Sequence, residues 1–173
     1  MKLRRVAQAL PTLYALRPLE LFDADYYRAS NRGNAAARIS PLLHFLAVGA
    51  FEKRNPHPLF DTAFYLRANP DVAAVNPNPW IHYLRHGYAE GRKPHPLFQP
   101  DYYLAGCPDT KKSGTNPLAH FARSRGPDCV NPHPLFDCRA YLRANPDAAR
   151  LNPLAYYATS RRGAVEEGSQ FGQ

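Results

Sequence analysis

A chain of 173 residues, 45% hydrophobic and 21% charged, is long enough for one packed domain or one short array and too apolar to be disordered. A formal charge of +8 suits an anionic partner, although no dense Lys/Arg run occurs. The three cysteines, Cys107, Cys129 and Cys138, lack zinc-site spacing and read as reduced thiols of a cytosolic protein, with a Cys129–Cys138 bond as the alternative.

Residues 1–21 open with Lys2, Arg4 and Arg5 and continue in an apolar run from Val6 to Leu16. Gln8 and Pro11 interrupt that run, and no small-residue cleavage site follows it. The expectation is a helical cap over the first repeat rather than a signal peptide. No stretch is long enough to span a membrane.

The rest of the chain is organised around Pro56-His57-Pro58-Leu59-Phe60, which returns as Pro94-His95-Pro96-Leu97-Phe98 and Pro132-His133-Pro134-Leu135-Phe136. A worn copy, Arg17-Pro18-Leu19-Glu20-Leu21-Phe22, precedes them. The phenylalanines at 22, 60, 98 and 136 recur every 38 residues. A fixed period of this size marks a repeat architecture. The expected fold is all-α: four short helical-hairpin repeats (22–59, 60–97, 98–135, 136–163), stacked as a small solenoid-like array, with a polar tail at 164–173.

Within a repeat, Asp61 has the chemistry of an N-cap, and Phe60 and Tyr65 form the staple that fixes the angle of entry into a first helix. The pair recurs as Phe22/Tyr27, Phe98/Tyr103 and Phe136/Tyr141. In the third repeat Gln99-Pro100 replaces the capping Asp by proline at N1. Asn69-Pro70-Asp71 ends this helix, and Asn69 is expected to cap a short turn from Pro70 to Val75. A second helix starts at Asn78-Pro79 and is expected to stop at a left-handed Gly87. Its copies run from Ser40-Pro41 to Gly49, Asn116-Pro117 to Gly126 and Asn152-Pro153 to Gly163. Leu42/Phe45, Trp80/Tyr83, Leu118/Phe121 and Leu154/Tyr157 are spaced to share one core-facing side.

The pattern Phe60-Asp61-x-x-Phe64-Tyr65-Leu66-x-x-Asn69-Pro70-Asp71, then Asn78-Pro79-x-x-His82-Tyr83-x-x-x-Gly87-x-x-Glu90-Gly91-Arg92, resembles a repeat of bacterial cell-surface polysaccharide proteins. That repeat accompanies glycosyltransferase domains, including rhamnan-synthesis-like ones. The resemblance covers about Phe22 to Gly163. It implies a non-catalytic module that holds a glycan or a polysaccharide-assembly protein, in the cytoplasm or peripheral to the inner membrane. The first repeat departs from the pattern at Ser30-Asn31-Arg32-Gly33-Asn34, and the fourth carries Tyr156 where the others have His44, His82 and His120.

Two histidine rows stand out. His44, His82 and His120, one per repeat on the second helix, form a row rather than a converging metal site and are expected to be buried and hydrogen-bonded. His57, His95 and His133 lie in the connecting loops, where repeat arrays present binding surfaces. With Arg54 and Arg92 they are the candidate binding residues; the bland alternative is a turn-stabilising bond between the two prolines. Asp71, Asp109 and Asp147 read as helix-start residues, and Glu52/Arg54 and Glu90/Arg92 as exposed ion pairs. No catalytic pair, phosphate loop, metal site or cofactor motif is present. Two rival readings remain: the front piece of a glycosyltransferase, and a basic helical repeat that binds nucleic acid.

Overall fold

The computed structural model describes residues 21–75, 78–126 and 129–168, with side chains described through residue 160. The expected cap at 1–21 lies outside them apart from Leu21. Among the described residues every helix or strand element is helical, and none is a strand. No helix there is long and apolar enough to cross a membrane.

Each of the first three repeats folds as three short helices. The first comprises α1 (Ala24–Ala29), α2 (Ala35–Ile39) and α3 (Pro41–His44), the last widening into a π-helical turn over Phe45–Gly49. The second comprises α4 (Thr62–Ala68), α5 (Pro70–Val75) and α6 (Pro79–His82), with a π-helical turn over Tyr83–Gly87. The third has α7 (Pro100–Ala105), α8 (Pro108–Ser113) and α9 (Pro117–Arg123). The fourth has α10 (Cys138–Ala144), a 3₁₀ turn (Pro146–Arg150) and α11 (Pro153–Gly168).

The helix starts follow their capping chemistry. Asp23, Asp61 and Asp137 each accept the backbone N–H three residues on, at 2.8, 2.8 and 2.9 Å. Gln99 makes no side-chain cap bond and leaves the start to Pro100. Asn78 accepts from Trp80 and Ile81, Asn116 from Leu118 and Ala119, and Asn152 from Ala155.

Four local expectations are corrected. Gly49 and Gly87 are not left-handed stops; they lie inside the π-helical turns. The left-handed residues are Gly91 (φ 69°) and, one period earlier, Lys53 (φ 58°), together with Gly114 and Gly126. Gly163 ends nothing, because α11 runs on to Gly168. The Asn69 side chain does not cap the helix that follows: its amide donates back to the Tyr65 carbonyl at 2.7 Å, closing α4.

The core is a set of repeated three-ring clusters. Phe60 lies 5.3 Å from Tyr65, which meets Tyr83 edge-on at 5.8 Å. Phe22/Tyr27/Phe45, Phe98/Tyr103/Phe121 and Phe136/Tyr141/Tyr157 repeat the arrangement. Each of the first three repeats is closed by the same backbone bond, from the residue after its opening phenylalanine to the proline that begins the loop at its end. Asp23 N–H donates to the Pro56 carbonyl at 3.0 Å, Asp61 to Pro94 at 2.9 Å, and Gln99 to Pro132 at 2.9 Å. Trp80 joins the second repeat to the first: it packs against Phe22 and Phe45, and its indole N–H donates to the Leu21 carbonyl at 3.0 Å.

Candidate functional site: histidine loops and arginine clamps

These closing bonds hold each Pro-His-Pro-Leu-Phe loop against the first helix of the repeat that it ends. Inside each loop the chain turns tightly, with the Phe60 N–H reaching the His57 carbonyl at 3.1 Å. Phe98 to His95 and Phe136 to His133 repeat this at 3.0 Å. The imidazole closes the turn a second time. Nδ1 of His57, His95 and His133 accepts the N–H of Leu59, Leu97 and Leu135, each at 3.1 Å.

A nitrogen that accepts is unprotonated, so each ring is the neutral tautomer with its remaining proton on Nε2. Burial pushes His57 and His95 down to about 4, opposed by the nearby carboxylates of Asp23 and Asp61 respectively. Burial also lowers His133, and Lys93 adds to the effect. Each row member therefore makes the turn-stabilising bond and keeps one N–H on a half-buried ring. The three loops are not equally open. Leu59 is 0% exposed, Leu97 is half-buried and Leu135 is 82% exposed.

Arg54 and Arg92 are placed beside the helices rather than in the histidine turns. Arg92 donates to the side chains of Glu90, Asp71 and Asn69, the last at 2.9 Å, and pairs with Asp71 at 2.8 Å. That bond holds the Asp71 carboxyl below its usual range. Glu90 and Arg92 flank the left-handed Gly91, which turns both side chains back onto the same point. Arg54 repeats the clamp with Glu52 at 2.7 Å and with Asn31. Asn31 thus does the work of Asn69 despite the broken Asn-Pro-Asp motif: its amide also donates to the carbonyl of Tyr27.

The other histidine row is tied to the tyrosines of the first helices. Tyr27 Oη lies 2.9 Å from His44 Nδ1, Tyr65 Oη 2.9 Å from His82 Nδ1, and Tyr103 Oη 2.7 Å from His120 Nδ1. The Asn34 amide donates to Nε2 of His44, which leaves the proton on Nδ1, facing Tyr27. Burial pushes Tyr27 up to about 12 and raises Tyr65 and Tyr103 as well, so all three hydroxyls stay protonated. The tyrosine partners were not foreseen. A constant offset of 17 residues between each Tyr and His was the available signal.

Cys129 and Cys138 are free, buried thiols with their sulfurs 2.8 Å apart. The hydrogen bond between the two thiols, with burial, raises the Cys138 pKa strongly. Among the described residues no group of three His, Cys, Asp or Glu side chains is placed to hold a metal ion. No family model, curated protein or solved structure matches the chain.

Proposed function

We propose that the four repeats stack as a small solenoid-like array. On this reading the array is a non-catalytic interaction module of bacterial cell-surface polysaccharide assembly, with its loop edge holding a glycan or an assembly protein. The observation that carries it is the threefold recurrence of one loop geometry, tied each time by the same backbone bond to the start of the repeat that it ends. Each loop offers one imidazole Nε2–H, a donor suited to a sugar hydroxyl or a peptide carbonyl. Repetition multiplies such weak contacts through effective concentration. Arg54 and Arg92 position the exits that lead into the loops and keep part of each guanidinium in water.

The nucleic-acid rival needs aromatic faces on which bases can stack. The repeated aromatics are instead spent in the core, and Tyr102, at 39% exposure, is the only large aromatic counted as exposed among the described residues. The glycosyltransferase reading concerns sequence beyond these repeats.

Binding of size-graded oligosaccharides from cell-surface polysaccharides, alongside single-stranded RNA at several salt concentrations, tests the proposal. Affinity is expected to climb with glycan length, and to fall when His57, His95 and His133 become Asn. Asparagine retains an acceptor for the turn amide while removing the Nε2 donor. RNA binding with a steep salt dependence, and none to glycan or assembly protein, overturns it.

A further inference from the structure

The first repeat breaks the pattern at the turn between α1 and α2, where Arg32 and Gly33 stand one period before Pro70 and Asp71. An acid is lost there and a base gained. The surface around this turn is a hollow of about 780 Å³ lined by Arg28, Ala29, Arg32, Ala35, Arg38 and Ile39. Arg28 is paired with Asp25 at 2.9 Å and donates to the Arg38 carbonyl. The guanidinium groups of Arg32 and Arg38 have no acidic partner among the described residues.

Exposed aliphatics adjoin these arginines. Ile39 is 82% exposed and Leu43 47%, and both line a second hollow of about 320 Å³ whose other wall includes Phe22. The sequence entering at Leu21 has the same chemistry, with Lys2, Arg4 and Arg5 before the apolar run from Val6 to Leu16. Guanidinium groups beside exposed aliphatics complement a surface that is anionic outside and apolar just beneath.

We propose that this edge of the first repeat docks on an anionic lipid bilayer. Arg32 and Arg38, with Arg28 beside them, meet the headgroup phosphates, while Ile39 and Leu43 enter the boundary between headgroups and acyl chains. The contact uses none of the loop histidines, so the proposal does not depend on glycan binding.

Sedimentation of the full chain with phosphatidylcholine vesicles, and with vesicles that also contain phosphatidylglycerol, tests it. The chain is expected to sediment only with the anionic vesicles and to be released as NaCl is raised. Arg32→Gln and Arg38→Gln are each expected to weaken binding about fivefold. Ile39→Asn with Leu43→Asn is expected to remove binding without lowering the melting temperature. The proposal is overturned by equal sedimentation with neutral vesicles, by none with either kind, by undiminished binding of both arginine variants, or by a lowered melting temperature for the Ile39/Leu43 variant. The last would mean that the chain itself covers this face. Single-stranded RNA binding abolished by Arg32→Gln and Arg38→Gln, with vesicles left unbound, overturns it in favour of a nucleic acid.

Discussion

A Cβ added at Gly87 would lie 2.2 Å from the Tyr65 hydroxyl, and one at Gly49 would lie 2.0 Å from that of Tyr27. Both tyrosines are fully buried and held by histidine, so neither ring tip can swing away at little cost. Gly→Ala inside a helix ordinarily gains up to about 1 kcal/mol. Here overpacking reverses the sign: Gly87→Ala is expected to lose about 1–3 kcal/mol. In a Tyr65→Phe background the clashing oxygen is gone, so chemical denaturation of the four proteins should give a strongly non-additive cycle. Glycine serves both left-handed turns and close approaches, and a repeating pattern locates the residue without saying which use applies. Hence the position of Gly87 was legible and its reason was not. Protons read out the loop histidines. His57 and His95 titrate near 4 when folded, against an ordinary 6.5. Between those values the unfolded chain binds more protons, so their stabilisation is complete above about pH 6.5 and falls as pH drops towards 4. Thermal melts are expected to be lower at pH 5 than at pH 7. The difference should shrink in His57→Asn with His95→Asn, whose side chains accept the same amides without titrating.

Helices of four to seven residues, such as α3 and α4, cannot stand alone in water and exist because their aromatic faces meet. Tyr65 and Tyr103, each 0% exposed, join a first helix to its repeat's last. Tyr65→Ala and Tyr103→Ala are each expected to cost about 3–5 kcal/mol in denaturant unfolding. Tyr65→Phe removes only the bond to His82, worth about 1 kcal/mol. Elements punctuated by local chemistry were readable, since an Asp or Asn cap and a following proline act within one turn of chain. Contacts that close over 20 or more residues were not. Arg92 reaching Asn69 and Asp71 is one example, and Asn31 standing in for Asn69 without a proline after it is another. The candidate arginines read as ion pairs with Glu52 and Glu90 alone, because their further partners Asn31, Asn69 and Asp71 lie a helix away in sequence.

At the scale of the molecule, repeats that contact mainly their neighbours draw stability from the joins. Trp80 is the largest side chain at one of them, wholly buried against Phe22 and Phe45. Trp80→Ala is expected to cost about 3–5 kcal/mol and to loosen the first repeat more than the third, seen as faster amide exchange in α1 than in α7. The period of 38 residues announced the repetition, but the bonds that close each repeat belong to backbone atoms, which side-chain patterns do not display. Native-state amide exchange at Asp23, Asp61 and Gln99 tests that closure most directly. Their N–H groups lie at the first residue after each loop phenylalanine and donate to Pro56, Pro94 and Pro132 of the next loop. Slow exchange at all three, comparable to that of the helices they precede, is the predicted result. Exchange at unstructured-chain rates at these amides, with the helices still protected, would contradict a continuous loop edge.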